Sequence, residues 1–235
     1  MKSTSRLWRW LGLVFVLSFG ALGYIGWQIY LSAPPIPKQV VTAEGEVLFT
    51  GEQIQLGQQS WLAAGGQQLG TVWGHGSYVA PDWSADWLHR EVTTLHAIRT
   101  AEQQRAGVPL GEADQAAVSA RVREEMRRNT YDDISGTVKI SRERAEAIRQ
   151  VAAHYDGLFG TDPKLATLRD QYAMTEGALP DKENRQALTA FFFWSAWAAT
   201  TDRPGEPGLS YTSNWPHEPL VGNTMSTSAA MWSMV

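Results

Sequence analysis

The chain opens on an uninterrupted apolar run. Trp10 to Ala33, "WLGLVFVLSFGALGYIGWQIYLSA", holds 24 residues without a charge. As a helix it would rise about 36 Å, enough to cross a hydrocarbon core of roughly 30 Å with some tilt. The stiff "APPIPK" comes next, and then the period changes. "VVTAEGEVLFTG" at 40–51 alternates around a Glu-Gly turn, which predicts a small hairpin. Thr50 with Gln53 three residues on has the form of a capping box, opening a helix through about Ala64 that Gly65-Gly66 ends. Trp83, Trp87, Val92, Leu95 and Ile98 form a helical apolar stripe over 82–106, with Asp82 or Ser84 as its cap. A second helix, 111–128, is highly charged and has a thin apolar face of Ala117, Val118, Val122 and Met126. "GTVKI" reads as a short strand, and Ser141 caps a third helix through about His154. These charged helices are expected to pack as an insertion on one side of a smaller core. "NRQALTAFFFWSAWA" at 184–198 is apolar all round and must be buried or lie against a membrane. A turn-rich loop, "TDRPGEPGLSYTSNWPHEP", leads to the uncharged "LVGNTMSTSAAMWSMV". That tail reads as the first turns of another membrane helix.

Charge sets the topology expected. Lys2, Arg6 and Arg9 precede the apolar run and no acid does, which keeps residues 1–9 in the cytoplasm and exports the residues beyond the span. Pro34-Pro35 directly after Ser32-Ala33 disfavours signal cleavage, so residues 10–33 are expected to stay as an anchor in the lipid bilayer. Three of the 20 bases lie in the first nine residues, leaving 17 against 24 acids. A net-acidic exported body argues against nucleic-acid binding. The chain has no cysteine, which excludes disulfides, thiolate metal sites and covalent attachment of a c-type heme.

Eleven tryptophans remain to be explained, and three of them fall in "TVWGHGSYVAPDWSADWLHRE" at 71–91. Residues 57–81, "GQQSWLAAGGQQLGTVWGHGSYVAP", resemble the heme-binding segment of the cytochrome c subunit of two-subunit nitric oxide reductases. There a tryptophan is followed by C-x-x-C-H, a glycine-x-glycine-x-tyrosine turn and Ala-Pro. Counted from Trp61, the two cysteines and the histidine fall on Gly66, Leu69 and Gly70, while Gly74, Gly76, Tyr78, Ala80 and Pro81 stay in step. Met174, Leu179, Phe191 to Trp194 and Asn214-Trp215-Pro216 keep the order of that family's later segment, with Met174 at the axial-methionine place. The anchor, the lost attachment residues and "NWPHEPLVGN" together resemble the N-terminal part of the quinol-dependent, single-chain nitric oxide reductase.

The resemblance implies a mainly α fold: one transmembrane helix, an exported cytochrome c-like domain at 34–220 with a small β hairpin and no heme c, then the start of a catalytic transmembrane bundle at 221–235. The family reduces nitric oxide to nitrous oxide with electrons from quinol. Its two heme b groups and non-heme iron would be bound by later helices that this sequence does not contain, so the chain alone is expected to be inactive. Its own job would be to cap the bundle. The space left by a heme is expected to be refilled by Trp73, Phe191, Phe192, Phe193, Trp194 and Trp197.

The resemblance further implies that the Gly76 carbonyl and the Tyr78 hydroxyl help hold a calcium, shared with heme propionates and a glutamate of the catalytic part. A hard cation taking six to eight oxygens suits such ligands. The competing reading is a glycine turn with a packed tyrosine. His75 could contact a propionate or be structural. His89 and His96, seven apart, have poor spacing for a metal pair. Met174 is expected to pack, and His154 to be solvated. Asp82, Asp86 and Glu91 could form a carboxylate cluster for proton work, although capping and first-turn charge explain the first two. His217-Glu218 could lie near a quinol site at the membrane surface or form an ordinary interfacial loop. A different class, an anchored non-enzymatic binding domain with a tryptophan-lined cleft, requires exposed Trp73, Trp83 and Trp87.

Overall fold

The structure is a computed structural model and describes residues 2–105, 107, 111–227, 230 and 231. The chain divides into two units, Met1–Pro35 and Ile36–Val235. The first is a single helix, α1 (Lys2–Ser32), long and apolar enough to cross a membrane over Thr4–Ser32. It begins well before the apolar run, because nothing between Lys2 and Arg9 breaks a helix.

The second unit starts with β1 (Gln39–Thr42) and β2 (Val47–Thr50), the expected antiparallel hairpin, with a bulge between Val40 and Val41. The hairpin is half of a larger sheet. β4 (Thr137–Ile140) runs parallel to β1, pairing Gln39 with Thr137 and Thr42 with Ile140, and β3 (Tyr131–Asp132) pairs antiparallel with β4. The order is β2-β1-β4-β3. Parallel partners are joined by a long crossover, which leaves no local mark in the sequence.

Helix α2 (Gly51–Ala63) opens on the expected capping box: the Gln53 amide donates to Thr50 Oγ1 at 3.2 Å and the Thr50 amide to Gln53 Oε1 at 2.9 Å. Then come α3 (Trp83–Arg105), α4 (Glu112–Arg127), α5 (Arg142–Phe159), the short α6 (Ala166–Gln171) and α7 (Lys182–Thr200). α7 is the axis of the domain. From Ala187 to Thr200 every side chain except Trp194 is buried, as its all-round apolar sequence requires. α2, α3 and α5 all pack on it. The α2–α7 approach depends on Gly57, where a Cβ would lie only 2.0 Å from the Ala187 carbonyl oxygen.

Two expectations need correction. α5 runs five residues past His154, and the added turns carry Tyr155, Leu158 and Phe159 into the centre of the core. Its charges mark only an outer face, so α5 is core and not an insertion. α4 fits the peripheral description better, burying Val118, Val122 and Met126 while Ala117 is exposed. At the other end, Val221 and Gly222 form a turn, residues 223–226 are irregular, and Val221 and Asn223 are fully buried in the domain. Helical conformation appears at Thr227; Ser228, Ala229 and residues 232–235 lie outside the described residues.

Candidate functional site

The 71–82 segment leaves the core at Gly70 and returns at Trp83. The Thr71 amide donates to the Pro81 carbonyl at 3.2 Å and the Trp83 amide to the Thr71 carbonyl at 2.8 Å, closing the loop at its neck. Asp82 holds it from inside. Its Oδ1 accepts from the Ala85 amide at 3.0 Å and from Ser84 Oγ, capping α3. Its Oδ2 accepts from Thr71 Oγ1 at 2.8 Å and from the Gly74 amide at 2.6 Å. Thr71 Oγ1 accepts in turn from the Gly76 amide at 2.8 Å. A residue that reads in sequence as a plain cap is thus the organiser of the whole loop. Only the side-chain order Thr71-x-x-Gly74…Asp82 hinted at it.

Two neighbouring segments pin the loop from outside. Trp73 adopts φ 55°, a conformation that costs a bulky residue about 1–3 kcal/mol unless its surroundings hold it. Its Nε1 donates to the Ser195 carbonyl at 2.8 Å, its amide donates to Ser84 Oγ at 3.0 Å, and its ring lies 5.3 Å from that of Trp194. Trp215 Nε1 donates to the Gly74 carbonyl at 3.0 Å, and the Trp215 ring lies 4.9 Å from His75. The loop tip is therefore fixed but open. His75 is exposed, Gly76 sits at φ 83° with Ala80 O closing the space a side chain would need, and Tyr78 is 102% exposed. The packed-tyrosine reading of this turn does not hold.

The neck has the opposite character. Gly70, at the place of the heme-ligating histidine in the resemblance, has φ 125°. A Cβ there would lie 2.3 Å from Trp83 Nε1 and 2.6 Å from Trp83 Cε2. The Trp83 ring is fully buried, stacked on Phe192 at 5.6 Å and edge-on to Tyr155, Phe159 and Tyr172. Trp83 is thus the ring that abuts Gly70, although its sequence pattern marks it only as part of a helix stripe. Of the expected fillers, Phe191, Phe192, Phe193 and Trp197 are buried, and Trp73 and Trp194 are half-buried against each other. Met174 is buried in the same cluster.

The remaining polar residues lie in separate surroundings. Asp86 Oδ2 accepts from Tyr155 Oη at 2.6 Å and from Arg90 Nε at 2.8 Å. Burial, reinforced by Asp86, pushes the Tyr155 phenol well above its ordinary pKa. Glu91 is fully buried between Arg144 Nε at 2.7 Å and Trp87 Nε1 at 2.8 Å. Asp82, Asp86 and Glu91 therefore serve three separate networks. His89 meets Glu218 at 3.0 Å and His96 meets Ser119 at 3.1 Å, so they share no metal. His154 is half-buried, not solvated, and burial lowers its pKa. His217 contacts the Asn223 carbonyl at 3.0 Å. Trp83 and Trp87 are wholly buried, which removes the tryptophan-lined cleft.

The family model of the NorB cytochrome c-like domain of nitric oxide reductase matches residues 37–217. The chain belongs to this family. No curated protein matches it in a direct comparison. The match begins just before β1 and ends in the loop after Trp215, so it takes in both the neck and the tip of the 71–82 loop and leaves α1 outside. The domain is thus part of a nitric oxide reductase subunit, consistent with catalytic partner domains.

Proposed function

We propose that this nitric oxide reductase domain is the exported, heme-free cap of an enzyme that takes electrons from quinol. In that enzyme two nitric oxide molecules, two electrons and two protons yield nitrous oxide and water. Two heme b groups and a non-heme iron, held by the catalytic bundle, would supply the redox chemistry. The observation that carries the reading is at the neck: Gly66, Leu69 and Gly70 offer neither thioether nor axial bond, and Trp83 packs where a side chain on Gly70 would have to go. A domain so filled supports a structural role and not an electron relay. α1 would anchor it, with the body outside the cytoplasm.

The tip would face the bundle. Gly76 and Tyr78 supply two neutral oxygens of a kind calcium accepts. They do not make a site alone: the Asp82 carboxylate of the same loop is already committed to Thr71, Gly74, Ser84 and Ala85. Among the described residues no group of three His, Cys, Asp or Glu side chains is placed to hold a metal ion. The fit is that of a partial shell, completed by oxygens of the catalytic part. There His75, exposed beside Trp215, would reach a heme propionate. Membranes carrying the reductase should consume nitric oxide with a reduced quinone analogue and not with reduced soluble cytochrome c. Turnover with cytochrome c alone would overturn the proposal.

A further inference from the structure

Two exposed isoleucines lie far from the 71–82 loop, in segments that are fastened together. Ile134 is 94% exposed and Ile36 is 41% exposed. Ile134 sits in the turn between β3 and β4, a place that ordinarily takes polar or small residues. The turn is satisfied without it. Asp132 Oδ1 accepts from the Ile134 amide at 3.2 Å, Asp132 Oδ2 from Ser135 Oγ at 2.6 Å, and the Asp132 carbonyl from the Gly136 amide at 2.7 Å. The Ile134 side chain is therefore presented on a fixed turn and supports nothing in its own domain.

The chain between α1 and β1 is bound to this turn. The Lys38 amide donates to the Gly136 carbonyl at 2.7 Å. The Lys38 stem lies over Gly136, where a Cβ would come 3.0 Å from Lys38 Cγ. Lys38 is exposed and forms no ion pair among the described residues. Ile36 is four residues beyond Ser32, where α1 ends, and Lys38 is six. At about 3.6 Å per residue fully extended, the chain reaches at most roughly 14 Å to Ile36 and roughly 22 Å to Lys38. Covalent reach alone thus keeps this corner of the domain near the surface in which α1 would be embedded.

We propose that Ile36 and Ile134 insert into the interfacial layer of the phospholipid bilayer, with Lys38 beside them reaching a lipid phosphate. Lysine suits that place because its apolar stem can lie among lipid carbons while its ammonium stays with the headgroups. Two aliphatic side chains and one cation are too little for a stable protein interface. They are enough to seat a domain that is already tethered to the membrane, since interfacial binding scales with the apolar area buried. Asp133 is exposed in the same turn, so the contact should form on neutral phosphatidylcholine without anionic lipid. The proposal rests on the reading of α1 as a membrane anchor.

The test is fluorescence quenching of the full chain in phosphatidylcholine vesicles carrying nitroxide lipids, labelled near the glycerol backbone or at mid-chain. The sequence has no cysteine, so a single introduced one places the fluorophore. Leu17→Cys reports on α1, Asp133→Cys on the turn with Ile134 left in place, and Glu44→Cys on the hairpin turn at the far end of β1. Leu17 should be quenched by the mid-chain lipid. Asp133 should be quenched by the shallow lipid roughly twofold or more above Glu44. Adding Ile36→Asp and Ile134→Asp to the Asp133 chain should bring it down to the Glu44 level with an unchanged melting temperature. A quenched Leu17 with Asp133 no different from Glu44 would overturn this proposal and leave the anchor standing. Quenching at Asp133 that survives the double substitution would overturn it too. An unquenched Leu17 would remove the anchor reading and this proposal together.

Discussion

The neck and the tip of the 71–82 loop are a few residues apart in sequence and opposite in character. At the neck, Gly70 has no room for a single methyl group, because Trp83 fills the space. At the tip, Tyr78 touches so little of the domain that its side chain is fully exposed. One pattern of aromatic and glycine residues therefore carries two kinds of constraint. The interior is a packed core of rings, while the outer turn is held by hydrogen bonds and left uncovered. Rigidity without burial is what a docking surface needs, since preorganisation lowers the cost of association.

The largest effect should separate the two. Gly70→Ala combines a strained φ with a collision against a buried indole, and should cost about 3 kcal/mol or more in chemical denaturation. Tyr78→Ala should stay within about 0.5 kcal/mol, because it removes no buried contact. Equal losses would erase the contrast. Next in size is Asp82→Ala. It removes the α3 cap and leaves the Gly74 amide without its acceptor, which should cost about 2 kcal/mol. Hydrogen exchange at Gly74 and Gly76 should speed up well beyond that of α7. Uniform acceleration across the domain would mean that Asp82 supports the fold at large and not the loop.

The smallest effect is a pH dependence far from the loop. Burial lowers the pKa of His154 below its ordinary 6.5, with Arg90 adding to the shift and Asp86 opposing it. The unfolded chain then binds a proton more readily than the folded one. Stability is complete above pH 6.5 and declines as pH falls from there toward the folded pKa. His154→Gln should flatten that decline in thermal melts between pH 7 and 5. An unchanged slope would assign it to other groups.

Much of this was legible in the sequence. The capping box at Thr50 and Gln53, the Trp83–Leu95 stripe and the apolar, largely buried helix α7 come from local pattern, and all three are present. The hairpin was legible, and so was β4 as the strand in "GTVKI", but their pairing was not, because a parallel neighbour 98 residues away leaves no local trace. β3, two residues long, is too short to alternate. α5 was cut short because its charged face hid Tyr155 and Phe159 on the other side. At the site, the motif located the loop, while two facts needed coordinates. One is that Asp82 reaches back across eight residues to Gly74. The other is that Trp83 is the ring that abuts Gly70. Both are contacts between side chain and backbone whose spacing matches no secondary-structure period.

The central claim is that the exposed tip works on a partner and not on its own fold. Tyr78→Phe in the assembled reductase tests it most directly, since it deletes one oxygen and keeps the ring. Calcium content and nitric oxide turnover should both fall, turnover should be partly restored by added calcium, and the melting temperature of this domain should be unchanged. Unchanged calcium content and unchanged turnover would contradict the claim.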